Sequence, residues 1–552
     1  LWPSAIKVFE VTLNTPTQES LYNQLGTWGH FSTQKALTEK LLPHVQPTTR
    51  PTLLTTLGNA YTALSNYPQA ISCHQESLLL ARKFNDTQAE AKALGNIGGL
   101  LYTMGRYTAA AAAHQKRLSL AQTNRDPLGE SYALTNLGLI AHAQGKLTAA
   151  IDCHQDSLAI AQAHKGSLFQ QAQSTALNNL GIAYFSTNRY LEAQTCHQQR
   201  LAIAKSLGDR PSQMKALGNL GNSYLALGHT DQAIQTIEQC LALAVEIGDY
   251  QLQGYANGSL GNAYAKLRQY PRAITCHQRH LSLAQTIQEH TGQEQALSNL
   301  CGVYIALNQP EKVIEYGQQH LTLLEAIENP TQTLDTLLRL GRAYYQQNDC
   351  DRALQYQNQA LELAQGRSNG SRIADCLWDL GMTCDCLGNF KQAIDYYQQL
   401  LSLQPNIEKT AKDRSLQTRL AILNNMGEAY LCLREFEQAQ CCFQQRLSLS
   451  EAIDNQSSTL QSLASLGTTY LYLEQPQQAI AQYQQAIAIA KALKDSPAEA
   501  NALYNLGVGL FQLAQVSAAR AVWKKAMSLA QQLALPQIET ACLDSLSDSE
   551  TP

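Results

Sequence analysis

Charged residues are scarce in this chain of 552 residues, because Asp, Glu, Lys and Arg together make up only 15% of it. The 40 basic and 44 acidic side chains leave a net charge of −4. A chain without a basic surplus lacks the field that attracts nucleic acid or an anionic membrane surface. Apolar runs are also short, and none approaches the roughly 18 residues that a membrane-spanning helix needs. We therefore expect neither nucleic acid nor a membrane as a partner.

Catalytic and metal-binding motifs are missing as well. The sequence contains no phosphate-binding loop, no G-x-S-x-G and no H-E-x-x-H. None of the 14 cysteines belongs to a C-x-x-C pair, and they lie within helical patterns. We expect reduced, mostly buried thiols and a cytoplasmic protein. We also expect no cofactor, no metal ion and no enzymatic activity.

One short phrase, an apolar residue followed by glycine, recurs along the chain in steps of 40 residues, with two exceptions of 43 and 46. We call this glycine the anchor of its repeat, and Cys301 takes its place once. The glycine anchors are Gly58, Gly98, Gly138, Gly181, Gly221, Gly261, Gly341, Gly381, Gly427, Gly467 and Gly507. A repeat of this length indicates a stack of similar supersecondary units.

Three further columns recur at fixed distances from the anchor. Tyr is common three residues after it, Ala stands twelve residues after it in eleven of twelve repeats, and Leu is common twenty residues after it. This spacing predicts two antiparallel helices per repeat, helix A with the anchor and Tyr, and helix B with Ala and Leu. Glycine inside a helix costs about 1 kcal/mol relative to Ala, so the anchor needs a packing reason. We predict that it faces the Ala column.

These columns resemble the tetratricopeptide repeat (TPR) family over roughly residues 51–539. The phrase N-L-G-N-x-Y and the period of 40 residues, instead of 34, resemble the Pins/LGN group most and kinesin light chain next. Residues 215–246 and 92–121 carry the resemblance best. It implies an all-α fold, a right-handed α-solenoid (superhelix) of about twelve helix hairpins, whose concave groove is lined by helix A. The longer period predicts a helix B lengthened by more than a turn.

Four regions are expected along the chain. Residues 1–50 form a degenerate N-terminal cap, and residues 51–413 form repeats 1–9, with a loop insertion near 404–415. Residues 414–539 form repeats 10–12, and residues 540–552 a polar tail. The insertion is either a soft hinge or only a longer turn between repeats, and both interpretations remain open.

Asparagine recurs on one side of helix A, although it is a mediocre helix former. Residues three apart share a helix face, so one face carries the positions two before, one after and six before the anchor. A ladder of amides there would bind the backbone of an extended peptide, and lysines would suit acidic segments. The alternative is that the amides tie neighbouring helices together. The candidate peptide-binding residues are Asn59, Lys92, Asn96, Asn136, Asn179, Lys215, Asn219, Asn222, Asn262 and Asn299.

Histidine recurs sixteen residues after the anchor, and Cys often precedes it. Tetrahedral zinc needs four converging ligands, whereas each repeat supplies one such pair on adjacent residues of a helix. Later repeats place Tyr397, Phe443, Tyr483 and Trp523 at the same position. The pattern therefore favours packing of a flat ring over metal binding.

Two functions remain open. The first is a non-enzymatic scaffold whose concave groove binds an extended or helical segment of a partner protein. The second is the regulatory or sensor arm of a larger signalling protein that carries a nucleotide-binding ATPase or a protease. The missing initiator Met favours a fragment. We expect a monomer.

Overall fold

The computed structural model describes residues 30–43, 45–403 and 412–549, and within these ranges it consists of helices and turns without a strand. The helices are α1 (Phe31–Leu41), α2 (Arg50–Ala63), α3 (Tyr67–Lys83), α4 (Thr87–Thr103), α5 (Tyr107–Asn124), α6 (Pro127–Ala143), α7 (Leu147–Gln162), α8 (Ser167–Ser186), α9 (Tyr190–Ser206), α10 (Arg210–Ala226), α11 (Thr230–Ile247), α12 (Tyr250–Lys266), α13 (Tyr270–Thr286), α14 (His290–Ala306), α15 (Pro310–Ala326), α16 (Pro330–Gln346), α17 (Cys350–Gly366), α18 (Gly370–Cys386), α19 (Phe390–Leu403), α20 (Lys412–Cys432), α21 (Phe436–Ala452), α22 (Gln456–Tyr472), α23 (Pro476–Leu493), α24 (Ser496–Gln512), α25 (Val516–Gln532) and α26 (Pro536–Asp548).

Twelve helix hairpins run from α2 to α25, so the all-α repeat solenoid predicted from the columns is confirmed. The even-numbered helices α2–α24 are the A helices, and the odd-numbered helices α3–α25 are the B helices. Successive helices contact each other from α1 to α13 and from α15 to α26. The chain forms two compact units, an N-terminal unit that ends at Ala296 and a C-terminal unit that begins at Leu297. The hinge or turn expected near 404–415 falls largely on residues 404–411, outside the described residues, and stays a prediction.

Helices A and B have nearly equal lengths, most often 17 residues, and three-residue turns join them, so the 40-residue period consists of two halves of 20 residues. The extra length of the repeat is therefore shared by both helices, whereas the sequence analysis assigned it to helix B. The three-residue insertion in repeat 4 adds most of a turn to α8, which has 20 residues. A whole helical turn is the cheapest way to absorb three or four residues without unpairing the backbone.

The turns owe their shape to a single left-handed residue after the helix end. At the end of α10, Gly228 has φ +82°, and the amide of His229 donates to the carbonyl of Tyr224 at 2.9 Å. This six-residue closure is the Schellman motif, which satisfies carbonyls that the helix end leaves free. Elsewhere the left-handed residue is often not glycine, as at Arg268 and Ala514.

The anchor glycines make room for the residue that stands sixteen positions later. A Cβ added to Gly138 would lie 2.5 Å from Cε1 of His154, whose ring is only 1% exposed. The predicted partner, the Ala column, is only the more distant neighbour: a Cβ added to Gly221 would lie 3.6 Å from the Ala233 carbonyl, farther than from the Ile237 side chain. The positions twelve and sixteen residues after the anchor lie on one face of helix B. The larger side chain, at the second of them, comes closest to the glycine. The ring packing inferred from the histidine column is confirmed.

Five histidines of this ring column are buried in the protein interior. Burial lowers the pKa of each ring from 6.5 to about 4. The residues concerned are His74, His114, His154, His197 and His277. Their Nδ1 atoms have no hydrogen-bond partner in the described structure. No group of three or more His, Cys, Asp or Glu side chains in the described ranges is arranged to hold a metal ion.

A hydrogen bond from glutamine to tyrosine recurs between repeats and fixes how they stack. Gln155 in α7 donates through Nε2 to the Tyr184 hydroxyl in α8 at 2.8 Å, and Gln318 in α15 donates to Tyr344 in α16 at 2.9 Å. The same contact joins Gln198 to Tyr224 at 3.2 Å. A half-buried hydroxyl that keeps a partner is less costly than an unpaired one.

Short helices flank the twelve hairpins. α1 packs against α2 and lies within the expected N-terminal cap, of which residues 1–29 and 44 are outside the described residues. At the other end, α26 continues through most of the segment expected to be a polar tail. Its Cys542 is fully buried against the last repeats, so this helix covers their apolar end.

Candidate peptide-binding face

The candidate residues lie on the A helices, and neighbouring A helices contact each other directly. Such contacts join α2 to α4, α4 to α6, α6 to α8, α8 to α10 and α10 to α12 in the N-terminal unit, and α16 to α18 in the C-terminal unit. We call the side of these helices that carries the predicted residues the A face. On this face, the residue one position after an anchor lies opposite the residue two positions before the next anchor, on the neighbouring A helix.

At two places along the chain, these facing positions hold a polar pair. Asn96 Nδ2 in α4 donates to Asn59 Oδ1 in α2 at 3.1 Å. The equivalent positions in α16 and α18 hold an ion pair, with Arg342 Nε 2.7 Å from Asp379 Oδ2. The repeat therefore places side chains about 40 residues apart in the sequence within hydrogen-bond distance of each other.

Five of the predicted asparagines are engaged within the protein, and two of them, Asn59 and Asn96, pair with each other. Asn96 is paired as described, and Asn136 donates to the carbonyl of Tyr132 in its own helix at 2.7 Å. Asn179 is buried and accepts from Asn178 at 3.0 Å, and Asn219 donates to the same Asn178 at 3.3 Å. Asn96 and Asn219 tie neighbouring helices together, which is the alternative left open by the sequence, whereas Asn136 and Asn179 form hydrogen bonds within their own helices.

The side chains of the remaining predicted residues keep unused hydrogen-bond donors and acceptors. Asn222, Asn262, Asn299, Lys92 and Lys215 make no hydrogen bond or ion pair with any residue of the described ranges. Lys92, Lys215 and Asn262 are exposed, as is Asn59, while Asn222 and Asn299 are half-buried. Nine of the ten predicted residues belong to the N-terminal unit, and Asn299 belongs to the C-terminal unit.

Charges on the A face are arranged differently in the C-terminal unit. Arg372 contacts Asp335 at 2.6 Å and Asp375 at 3.1 Å, so α16 and α18 neutralise their own charges. Burial raises the pKa of Asp379, although the Arg342 guanidinium beside it acts in the opposite direction. Lys92 and Lys215 of the N-terminal unit form no ion pair, although Lys215 lies near enough to Asp209 to help lower the pKa of that carboxyl.

No helix within the described ranges is long and apolar enough to cross a membrane. The family models that match the chain are all described as tetratricopeptide repeat, and together they cover more than half of it. One of them matches residues 49–123, 172–244, 295–366, 332–406 and 418–492, and others match residues 258–290, 465–532 and 132–166. The chain belongs to the tetratricopeptide repeat family. A comparison with curated proteins gives no significant match.

Several solved structures are similar to this TPR chain in fold. BtubC (BKLC) from P. vanneervenii is 20% identical, with 40% of this chain and 90% of that one covered and a TM-score of 0.36. Aspartyl phosphate phosphatase F from Bacillus subtilis is 12% identical, with 62% and 92% covered and a TM-score of 0.43. A putative kinesin light chain from Podosopora anserina, with nearly identical TPR-like repeats, is 16% identical, with 37% and 99% covered and a TM-score of 0.33.

Sequence reasoning missed a second contact between the two helices of a TPR hairpin. The residue three before the anchor meets the residue nineteen after it, and in repeat 4 these are Asn178 and Arg200. Arg200 is 6% exposed and donates through Nη1 to Asn178 Oδ1 at 2.8 Å. Arg117 occupies the same position in repeat 2, where a Cβ on Gly95 would lie 2.8 Å from its guanidinium. The signal that could have revealed this contact was arginine in repeats 2, 4 and 10, in a column that elsewhere holds small or apolar residues and two histidines.

Proposed function

We propose that this TPR protein is a non-enzymatic scaffold that binds an extended, acidic segment of a partner protein along the A face of its N-terminal unit. Membership of the TPR family supports the role of a protein-interaction scaffold. The observation that carries the finer proposal is the set of uncommitted polar groups on that face, Lys92, Lys215, Asn222 and Asn262. Each amide offers both a donor and an acceptor for a peptide backbone, and each ammonium offers three donors.

The spacing of the helices supports the A face as the groove. Successive A helices approach each other closely enough to contact, so the A side is the tighter side of each stack of hairpins. In a stack that curves, the tighter side is the inner one, and repeat proteins use their concave surfaces for binding. The amides engaged between helices, such as Asn96 and Asn219, then hold the walls of the groove, and the uncommitted groups contact the peptide.

Charge selects the class of partner. The two unpaired lysines favour carboxylates, whereas the A face of α16 and α18 has already neutralised its own charges. Exposed charge pairs of this kind influence specificity and association rate more than total affinity. We also propose a cytoplasmic location, because the 14 cysteines are free thiols, and no nucleic acid ligand, because the net charge is only −4. We expect the protein to be a monomer.

A peptide display experiment tests the proposal. Peptides would be selected from a random library on the wild-type protein, and the affinity of one selected peptide would be measured by calorimetry. We expect acidic sequences, and we expect a double variant, Lys92→Gln with Lys215→Gln, to weaken binding about tenfold or more, since charged hydrogen bonds contribute about 1.5–3 kcal/mol. A second variant, Asn222→Ala with Asn262→Ala, should act in the same direction.

Two lysines on B helices provide the matched control. Lys116 in α5 and Lys205 in α9 are exposed, and changing both to Gln removes the same charge from another side of the repeats. Equal weakening by this control variant, or unchanged binding by both A-face variants, would show that the A face is not the binding surface. Circular dichroism would verify that each variant keeps its helix content.

A further inference from the structure

Two cysteines from neighbouring repeats lie in direct contact in the C-terminal unit. Cys350 begins α17, the B helix of repeat 8, and Cys386 ends α18, the A helix of repeat 9. The Cys350 thiol donates to Cys386 Sγ, and the two sulfur atoms lie 2.7 Å apart. Cys350 is 5% exposed, whereas Cys386 is exposed to solvent.

The repeat itself brings these two positions together. They stand nine residues after one anchor and five residues after the next, and the same pair of positions in repeats 10 and 11 holds Phe436 and Tyr472. Those two rings are stacked, with centroids 5.1 Å apart. The junction is therefore a fixed contact of the fold, and it brings side chains together whatever their chemistry.

Packing alone gives no reason for two sulfur atoms at this junction. Elsewhere in the repeat array this pair of positions never holds two cysteines, and the next junction holds Phe390 with Cys432. An exposed thiol such as Cys386 buries little apolar surface. Its accessibility instead suits reaction with a small oxidant, because exposed thiols are the ones that exchange with disulfides.

We propose that Cys350 and Cys386 form a reversible disulfide that links repeats 8 and 9 when the protein meets a low-molecular-weight disulfide such as oxidised glutathione. The thiolate of Cys386 attacks one sulfur of the glutathione disulfide and releases one glutathione thiolate. The thiolate of Cys350 then attacks the Cys386 sulfur of the mixed disulfide and releases the second glutathione. The two protein thiols lose two protons and two electrons, and two molecules of reduced glutathione carry them away.

The order of these steps follows from burial. Burial raises the pKa of the Cys350 thiol. Cys386 is therefore the first to react, and ring closure by Cys350 is the slower step. Once formed, the bond joins the start of α17 to the end of α18, two helices of the same compact unit that already contact each other. It restricts the movement of repeats 8 and 9 relative to each other.

Mass spectrometry tests the pair directly. The full-length protein would be incubated with oxidised glutathione near pH 8, its remaining thiols blocked, and the protein digested without reductant. We expect a single cross-linked peptide that contains Cys350 and Cys386, lighter than the two separate peptides by two hydrogens and released by dithiothreitol. Amide exchange in residues 347–349 and 387–389 should be slower in the oxidised protein.

Three variants separate the possible outcomes. C350S and C386S should each abolish the cross-link while circular dichroism shows an unchanged helix content. C432S, which removes an exposed thiol at the equivalent place in the next repeat, should leave it intact. Glutathione that stays on Cys386 without ring closure after prolonged incubation would overturn the proposal. So would a cross-link of Cys386 to any other cysteine or to a second molecule.

Discussion

Mild acid should unfold the N-terminal unit while the C-terminal unit remains folded. The perturbation is a change from pH 7 to pH 5, which protonates histidines in the unfolded chain but not in the folded one. Five histidines of the N-terminal unit have a pKa lowered by burial from 6.5 to about 4. A lowered pKa means that the folded chain favours the neutral ring over the charged one. The contribution of the neutral histidines to the free energy of unfolding is therefore complete above about pH 6.5 and is lost as the pH falls towards 4.

The magnitude follows from the two pKa values. At pH 5 a group with a pKa of about 4 in the folded chain and 6.5 in the unfolded chain destabilises the fold by about 2 kcal/mol. The five histidines together then remove about 10 kcal/mol, which is comparable with the whole free energy of unfolding of a domain, about 5–15 kcal/mol. The C-terminal unit has one such group, His320, and loses about 2 kcal/mol. Repeat proteins unfold in segments, so the units need not respond together.

Neighbouring charges act in the same direction for most of these rings. His114 has Arg117 beside it, His197 has Arg200, and His154 has His142, and each neighbour lowers the pKa of the buried ring further. No carboxylate raises the pKa of the five ring-column histidines. The C-terminal unit has no histidine at this position, which is occupied there by Gly317, Gln357, Tyr397, Phe443, Tyr483 and Trp523.

Hydrogen exchange followed by mass spectrometry between pH 7 and pH 4.5, corrected for the intrinsic rate, would report each unit separately. The double variant His154→Phe with His197→Phe introduces the residue found at position 443 and removes about 4 kcal/mol of the loss at pH 5. Its acid transition should move to lower pH. The exposed His229 provides the control, and His229→Gln should leave the transition unchanged. An unchanged transition in the double variant, or earlier unfolding of the C-terminal unit, would refute the reasoning.

Two further predictions concern stability at neutral pH. Gly138→Ala should lower the free energy of unfolding by about 1–2 kcal/mol, because overpacking against His154 outweighs the better helix propensity of Ala. Gly99→Ala is the matched control, since its Cβ would meet nothing within 4 Å, and it should stabilise the protein by up to about 1 kcal/mol. Ala514 has φ +59° in a turn, so Ala514→Gly should raise the free energy of unfolding by up to about 1 kcal/mol. Chemical denaturation would measure all three, and an equal effect of both Gly→Ala changes would contradict the packing of the anchor.

The candidate site was predictable in position but only partly in role. Spacing placed Asn96, Asn136 and Asn222 on one kind of helix, and that placement holds. Whether an amide joins two helices depends on the residue that faces it from the neighbouring repeat. Asn96 meets Asn59 and is engaged, whereas Asn222 meets no hydrogen-bond partner among the described residues. The position of an asparagine within its repeat does not reveal which side chain of the adjacent repeat faces it.

The sequence by itself determined the repeat, its helical hairpins and the all-α solenoid, because a period is a linear property and each repeat needs its neighbours to bury its apolar face. It also identified the ring column as packing. The tertiary structure decided which atoms meet. The glycine at an anchor is covered first by the side chain sixteen residues later, which is a ring in most repeats. Cys350 meets Cys386 although 36 residues separate them in the chain. Contacts between successive repeats depend on side-chain length and direction as well as on register, and only the packed structure shows them.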